Sequence, residues 1–371
     1  MKIRKATTRY EEWLAGELTI LPADLALKHQ QMTDGLFPFL RATYYRWAQM
    51  WPEVCGELAS APEVLGVGDL HVENFGTWRD LEGRLVWGVN DFDEAWPSPY
   101  TNDLVRLATS ALMAITLNHL CIAGKDAARA ILEGYTEALA IGGRPFVLAE
   151  HHIALREMAI HRLKDVVPFW EKLEKLPAIK GAIPDGAQKG ISRLLPEPDL
   201  PRRYVHRVAG LGSLGRQRFV ALAEWHGGRV AREAKAMAPS ACWWASGAKG
   251  PSRIHYQHIL DSAVRCCDPF VKLKGQWIVR RLAPDCSRIE LSALPKERDE
   301  IRLLHAMGFE TANVHLGSRK AGAIERDLKK RRDGWLSRAA EEMVTSVTTD
   351  WEQWRATETQ PKPRAKAAAK G

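Results

Sequence analysis

Gly68-Asp69-Leu70-His71-Val72-Glu73-Asn74 and, one strand later, Val89-Asn90-Asp91-Phe92-Asp93 are the two stretches on which the fold turns. The apolar run Val64–Val67 meets Gly68 and Asp69 as a strand runs into a loop. Leu85–Val89, preceded by the turn residues Glu82 and Gly83, reads as a second strand. Phosphoryl transfer needs a carboxylate to orient or deprotonate an acceptor hydroxyl, and oxygen ligands to hold magnesium on phosphates. An Asp with an Asn five residues on, in one tight loop, supplies a base and a ligand; a second Asp closing a nearby strand supplies the other ligand. Asp69 stands at the position of the base, and Asn74 and Asp91 at those of the ligands. Asp93 and Glu94 add carboxylates beside them. Asp69 taken alone reads as a loop or cap residue, and only its coincidence with Asp91 and Asp103 gives the pattern weight. His71 reads as a packing and hydrogen-bonding brace, and Glu73 as solvated.

A second cluster, Gly210-Leu211-Gly212-Ser213-Leu214-Gly215, invites a dinucleotide-binding interpretation. That interpretation requires a helix after the loop and an acidic residue about twenty positions on. Here the extended Arg218–Ala223 follows, Gly227-Gly228 turns the chain, and a third strand, Arg229–Lys235, ends on a lysine. Strand, glycine loop, strand, turn and strand with lysine is the arrangement of kinases, in which backbone amides and a lysine approach phosphates. In isolation the cluster also fits a plain glycine hairpin with a surface lysine.

Gly-Asp-Leu-His-x-x-Asn, then a strand and Asp-Phe-Asp, resembles the aminoglycoside-phosphotransferase branch of the protein-kinase-like superfamily. Asp103-Leu104, opening the next helix, matches an Asp-Leu of that branch. The wider pattern resembles the bacterial family called domain of unknown function 2252. Phe37–Arg41, Gly68–Gly76, Asn90–Ala95, Asp103–Ser110, Gly210–Gly215 and Lys235 carry that likeness, over roughly residues 28–318. The resemblance implies an α+β, two-lobed protein-kinase-like fold with ATP and Mg2+ as cofactors and a small-molecule hydroxyl as acceptor. It implies that Asp69 is catalytic and that Asn74 and Asp91 hold the metal. Gly210, Gly212, Ser213, Gly215 and Lys235 would hold the nucleotide phosphates. His71 and Asp103 would give structural support, Asp103 by bracing the catalytic loop.

Two departures accompany the likeness. Kinases place the glycine loop and lysine ahead of the catalytic loop, whereas here they follow it by more than a hundred residues. The fold is therefore expected to be circularly permuted, helical catalytic lobe first and β-rich lobe second. The helix expected at Arg253–Arg265 offers Gln257 and Asp261 to Lys235 but no Glu, and Glu233 is only a strand neighbour. A nucleotide-binding pseudokinase with a regulatory role and a kinase-fold nucleotidyl transferase therefore stay open beside the phosphotransferase.

Composition bounds these expectations. The chain has 371 residues, 46% of them hydrophobic, with 53 Lys and Arg against 45 Asp and Glu. The basic excess attracts nucleotides as readily as nucleic acid, and part of it sits in a tail where Pro361, Lys362, Pro363 and Arg364 precede an Ala/Lys run. Nucleic acid is thus not selected as a partner. The six cysteines form no Cys-x-x-Cys pair and read as reduced, mostly buried thiols. The apolar stretch 104–123 contains Arg106, Asn118 and His119, so it reads as a buried helix rather than a membrane span. A cytoplasmic protein with no membrane partner is expected.

The organisation follows. Residues 1–180 form the helical catalytic lobe, with the Pro- and Gly-rich Pro177–Pro201 as boundary. Residues 201–290 form the β-rich lobe, including strands Tyr204–Ala209 and Trp277–Leu282. Residues 291–355 return to helices that complete the first lobe, and 356–371 form a disordered basic tail. Lys28 and Arg41 match the N-terminal pattern of the family that the chain resembles, and Arg41 is a candidate phosphate contact or structural ion-pair member. Arg280, Arg281 and Arg288 are candidate lining for an anionic pocket, against a default of surface charge. The run Lys329–Arg332 is a solvated helix face.

Overall fold

The computed structural model describes residues 1–117, 119–160, 165–286 and 299–358. Helices α1 (Ile3–Glu17), α2 (Pro22–Asp34), α3 (Leu36–Ala42) and α4 (Tyr44–Val54) lead into strands β1 (Glu63–Gly66), β2 (Phe75–Arg79), β3 (Leu85–Val89) and β4 (Trp96–Pro99). Helices α5 (Tyr100–Thr116) and α6 (Gly124–Ile141), strand β5 (Phe146–Val147) and helices α7 (Leu148–His151), α8 (Ile153–Ile160), α9 (Val166–Glu174) and α10 (Asp185–Leu194) follow. Next come β6 (Arg202–His206), β7 (Arg218–Trp225), β8 (Gly228–Ala236), α11 (Ala241–Ala245), α12 (Tyr256–Ser262), β9 (Val271–Lys274) and β10 (Trp277–Leu282). Helices α13 (Asp299–Leu316), α14 (Ala321–Leu328) and α15 (Trp335–Glu358) complete the order. The class is α+β: β1 pairs with β4, β2-β3-β5 form a second sheet, and β6-β7-β8-β10-β9 form a third, every pairing antiparallel.

The main core joins both ends of the chain. Helix α5 is buried along almost its whole length, its polar face as well as its apolar one, because Asn102, Asp103, Arg106, Thr109 and Ser110 all find hydrogen-bond partners inside the protein. Helix α15 packs on α5, α6 and the first four helices. Arg46 Nε bonds Asp350 Oδ2 at 2.6 Å, and Trp354 Nε1 bonds Thr33 Oγ1 at 3.1 Å. Helices α6 and α13 approach backbone to backbone. A Cβ added to Gly134 would lie 1.9 Å from the His305 carbonyl oxygen, and one on Gly308 1.9 Å from that of Ile131.

The five-stranded sheet has two covered faces, as strand alternation requires. Phe219, Ala221, Ala234 and Val279 pack on Ile183 and on Ala187 and Ile191 of α10. Val205, Val220, Leu222 and Ala231 pack on Trp170 and Leu173 of α9. The cover of this sheet thus begins at α9, ahead of the boundary that the Pro- and Gly-rich composition of 177–201 suggests. Prolines of that stretch flank α10 on both sides, Pro177 and Pro184 before it and Pro196, Pro198 and Pro201 after it. Lys235, Glu233, Arg218 and Arg280 share the α9 face beyond the reach of that helix, because Arg218 pairs in register with Lys235 and Glu233 with Arg280.

Other corrections are local. β2, β4, β9 and α11 were not anticipated, and the helix expected over Arg253–Arg265 spans only Tyr256–Ser262. Residues 356–358 continue α15 rather than opening a tail; residues 359–371, Asn118, Arg288 and Leu294 lie outside the described residues. All six cysteines are free, but only Cys55 is buried, and Cys121 and Cys267 are exposed. Among the described residues no helix is long and apolar enough to cross a membrane.

Candidate active site

The loop after β1 is held from beneath. Asp103, in the first turn of α5, accepts the Val67 N–H at 2.6 Å and the Gly68 N–H at 2.9 Å, one on each carboxylate oxygen. His315, from the last turn of α13, places Nε2 2.9 Å from Asp103 Oδ2 and Nδ1 2.8 Å from the Tyr135 hydroxyl. Gly68 has φ +83°, and a Cβ there would lie 2.3 Å from the Glu94 carbonyl oxygen, so the loop needs glycine for conformation and for space. His71 is buried; its carbonyl accepts the Asn74 N–H at 2.8 Å, and its Nδ1 lies 3.2 Å from the Glu73 nitrogen. Glu73 is not simply solvated, since Arg41 Nη1 bonds its carboxylate at 2.5 Å.

These restraints present Asp69 and Asn74 together. Asn74 Nδ2 donates to the Asp69 carbonyl at 2.6 Å, which commits the amide nitrogen and turns the amide oxygen to other use. Asp69 Oδ1 accepts from Arg106 Nε at 2.9 Å and also from Arg106 Nη2. The guanidinium of Arg106 is buried, with its carbon 4.9 Å from the Tyr44 ring centre and 4.7 Å from that of Trp47. Burial pushes the Asp69 carboxyl up to about 6, with the neighbouring Arg106 opposing it.

The glycine loop comes from the other half of the chain and lies against this group. Leu211 and Leu214 anchor it in the main core, Leu21 N–H bonds the Gly215 carbonyl at 2.7 Å, and Lys28 Nζ bonds the Gly212 carbonyl at 3.1 Å. A Cβ on Gly212 would stand 3.1 Å from the Arg41 carbonyl and 3.6 Å from Asp69 Oδ2. Ser213 Oγ accepts from Arg218 Nη2 at 2.8 Å and donates to the Gly210 carbonyl at 3.1 Å. Burial lowers the Lys28 ammonium to about 8.

Lys235, from β8, reaches Asp93 with Nζ 2.5 and 2.6 Å from the two oxygens and stands 3.7 Å from Asp91 Oδ1. Burial holds its ammonium below the ordinary lysine value and holds the Asp93 carboxyl above its own. Arg216 lies 3.3 Å from Glu94 and 3.8 Å from Asp93. Glu94 accepts the Ala241 N–H at 2.6 Å, and burial raises it to about 7. Glu233 does not pair with Lys235. Wholly buried, it accepts from Arg207 and Arg218 at 2.7 Å and from Arg280 Nε at 2.8 Å. These three guanidinium groups hold its carboxyl well below the usual range despite burial.

Asp69, Asn74, Asp91, Gly210, Gly212 and Ser213 line one cavity of about 40 Å³. A cavity must offer about 10–15 Å³ to admit one water, so this one admits an ion or a few waters. A second cavity of about 260 Å³ lies beyond Asp91 and Gly210, which line both. Gly215 and Lys235 do not line the first cavity, though Lys235 touches its wall through Asp93. Among the described residues no three His, Cys, Asp or Glu side chains converge as a metal site. A magnesium held here would therefore take most of its ligands from phosphate and water, the usual habit of that ion.

Arg106, Arg216 and His315 went unread as site residues. Arg106 left a signal in the sequence, a charge midway along an otherwise apolar helix. Arg216, directly after Gly215, and His315, far along the chain, left none. A family model described as an uncharacterized protein conserved in bacteria (DUF2252) matches residues 20–163. The match includes the Gly68–Asn74 loop, Asp91 and Asp103 and ends before Gly210 and Lys235. No curated protein and no solved structure matches the chain.

Proposed function

We propose that the protein is an ATP- and magnesium-dependent phosphotransferase of the cytoplasm, with a two-lobed, circularly permuted protein-kinase-like architecture, acting on a small-molecule hydroxyl. One observation carries this reading: Asp69, Asn74 and Asp91 share one cavity with Gly210, Gly212 and Ser213, and Lys235 stands behind its wall on Asp93, 3.7 Å from Asp91 Oδ1, although the two groups are separated by more than a hundred residues. The glycine loop joins the first two strands of its sheet and the lysine sits on the third, as in kinases.

Asp69 would orient the acceptor hydroxyl and take its proton as the oxygen–phosphorus bond forms and the nucleoside diphosphate departs. A carboxyl near 6 is mostly ionised at neutral pH yet still basic enough for that task. Arg106 holds the carboxylate by one oxygen, leaving the other facing the glycine loop. Asn74 and Asp91 would hold magnesium, which when bound neutralises phosphate charge. Lys235 would exchange Asp93 for a phosphate oxygen, and the amides of Gly210–Gly215 would approach the chain of phosphates.

The Lys235–Asp93 pair, with no helical glutamate on Lys235 among the described residues, favours a second reading, a nucleotide-binding regulator without chemistry. Nucleotide titration with and without magnesium, on the native chain and Asp91→Ala, separates the two. Magnesium-dependent binding that weakens about tenfold or more in the variant is expected. Binding indifferent to both changes selects the regulator, and no nucleotide binding removes both. Transfer of label from the α- rather than the γ-phosphate of ATP would identify nucleotidyl transfer.

A further inference from the structure

The second cavity has a chemistry of its own. Arg207, Arg218, Arg265, Arg280 and Arg281 line it, against two carboxylates, Asp91 and Asp268. Arg207, Arg218 and Arg280 share Glu233 beneath the wall. Among the described residues, Arg265 and Arg281 make no such pair. Arg265 stacks its guanidinium carbon 4.5 Å from the Trp78 ring centre and 5.0 Å from that of Phe92. Arg281 lies 4.5 Å from the Phe270 ring centre and touches the Cys286 thiol. Among the described residues, Nε and Nη1 of Arg265, and Nε and Nη2 of Arg281, are buried without a hydrogen-bond partner. Asp268 and, for Arg265, Glu310 act on these groups only through their charge.

Buried guanidinium edges without acceptors are costly, and a planar fork of donors matches phosphate oxygens. The stacked aromatic rings fix the guanidinium planes without using those edges. At about 260 Å³ the chamber has room for several linked phosphate groups, which the smaller cavity lacks. An apolar ring system is a poor match for five arginines.

We infer that this chamber binds a phosphate-bearing group, a polyphosphate chain or phosphate ester, on Arg265 and Arg281 with the Glu233-anchored arginines behind them. The assignment rests on the phosphotransferase reading only in giving the chamber a role beside Asp91. The group would come from the nucleotide itself or from a phosphorylated acceptor, and either would meet Asp91 and Gly210 at the opening between the cavities.

The test is calorimetric titration of the full chain with inorganic tripolyphosphate, without magnesium. Saturable binding is expected, weaker at high salt and weakened about tenfold or more in both Arg265→Gln and Arg281→Gln. Lys189→Gln, on the exposed side of α10, should leave it unchanged. If Arg265→Gln fails to melt cooperatively, Arg281→Gln decides alone. No binding by the native chain, or binding indifferent to the arginine substitutions, overturns the proposal. Competition between tripolyphosphate and ATP assigns the chamber to the nucleotide's phosphates; simultaneous binding assigns it to a phosphorylated acceptor; both uphold it. Tripolyphosphate binding without nucleotide binding upholds the chamber and removes the phosphotransferase reading. Nucleotide binding without tripolyphosphate binding does the reverse.

Discussion

At the scale of single residues, the proposed chemistry rests on Asp69 and Arg106. An ionised carboxylate in a buried site needs a partner, yet too strong a partner would leave it no basicity. Arg106 engages one oxygen, and burial keeps the carboxyl near 6. Turnover should therefore rise with pH through about 6, as Asp69 loses its proton and becomes able to accept one. Asp69→Asn should lose roughly 10²–10⁴-fold in turnover while nucleotide affinity holds, measured by steady-state kinetics beside a binding titration. That Asp69, Asn74 and Asp91 would line one cavity was legible because their spacing is local. Arg106 was legible only as a charge that excluded a membrane span. Its partner Asp69 lies 37 residues back, and nothing local links the two. The partner of Lys235 was sought as a glutamate on a following helix, whereas it is Asp93, 142 residues earlier.

At the scale of elements, β3 and β10 were read at their true bounds because each is a bounded apolar or aromatic run between turn residues. β2, Phe-Gly-Thr-Trp-Arg, and β4, Trp-Pro-Ser-Pro, were missed because glycine and proline normally break strands. β4 accommodates two prolines because it pairs only with β1 and leaves its other edge without a strand partner. The contact of α6 with α13 illustrates what sequence conceals: Gly134 and Gly308 look like weak helix residues until the facing backbones are seen. Gly134→Ala should cost about 1–3 kcal/mol or more by forcing the helices apart. Gly181→Ala, where a Cβ meets nothing, should stay within about 0.5 kcal/mol. Chemical denaturation of the two variants checks the contrast.

At the scale of the molecule, the sheet β6-β7-β8-β10-β9 is an excursion from a helical body that both ends of the chain build. Helix α15 contributes Leu336, Met343, Val347 and Trp354 to the core. Burial of such side chains is worth about 1.5–3 kcal/mol each, so together they approach the net stability of about 5–15 kcal/mol typical of folded proteins. A chain ending at residue 334 should therefore lose the cooperative melt of the whole helical body, not of the C-terminal helices alone. Thermal circular dichroism beside the full chain measures this. The strand-rich middle and helical ends could be read from composition and periodicity; their closure into one body could not, since it depends on contacts without local signature.

The brace on the Asp69 loop has a consequence during protein synthesis. Asp103 and His315 are 212 residues apart, and ribosomes add about 5–20 residues per second. For roughly 10–40 s after α5 emerges, its carboxylate holds the loop without the imidazole that orients it, and the helix bearing that imidazole does not yet exist. The nascent polypeptide therefore carries every residue of the Gly68–Asp93 segment long before it carries a finished site, and any activity of the protein waits for α13 to be made and to bring His315 to Asp103.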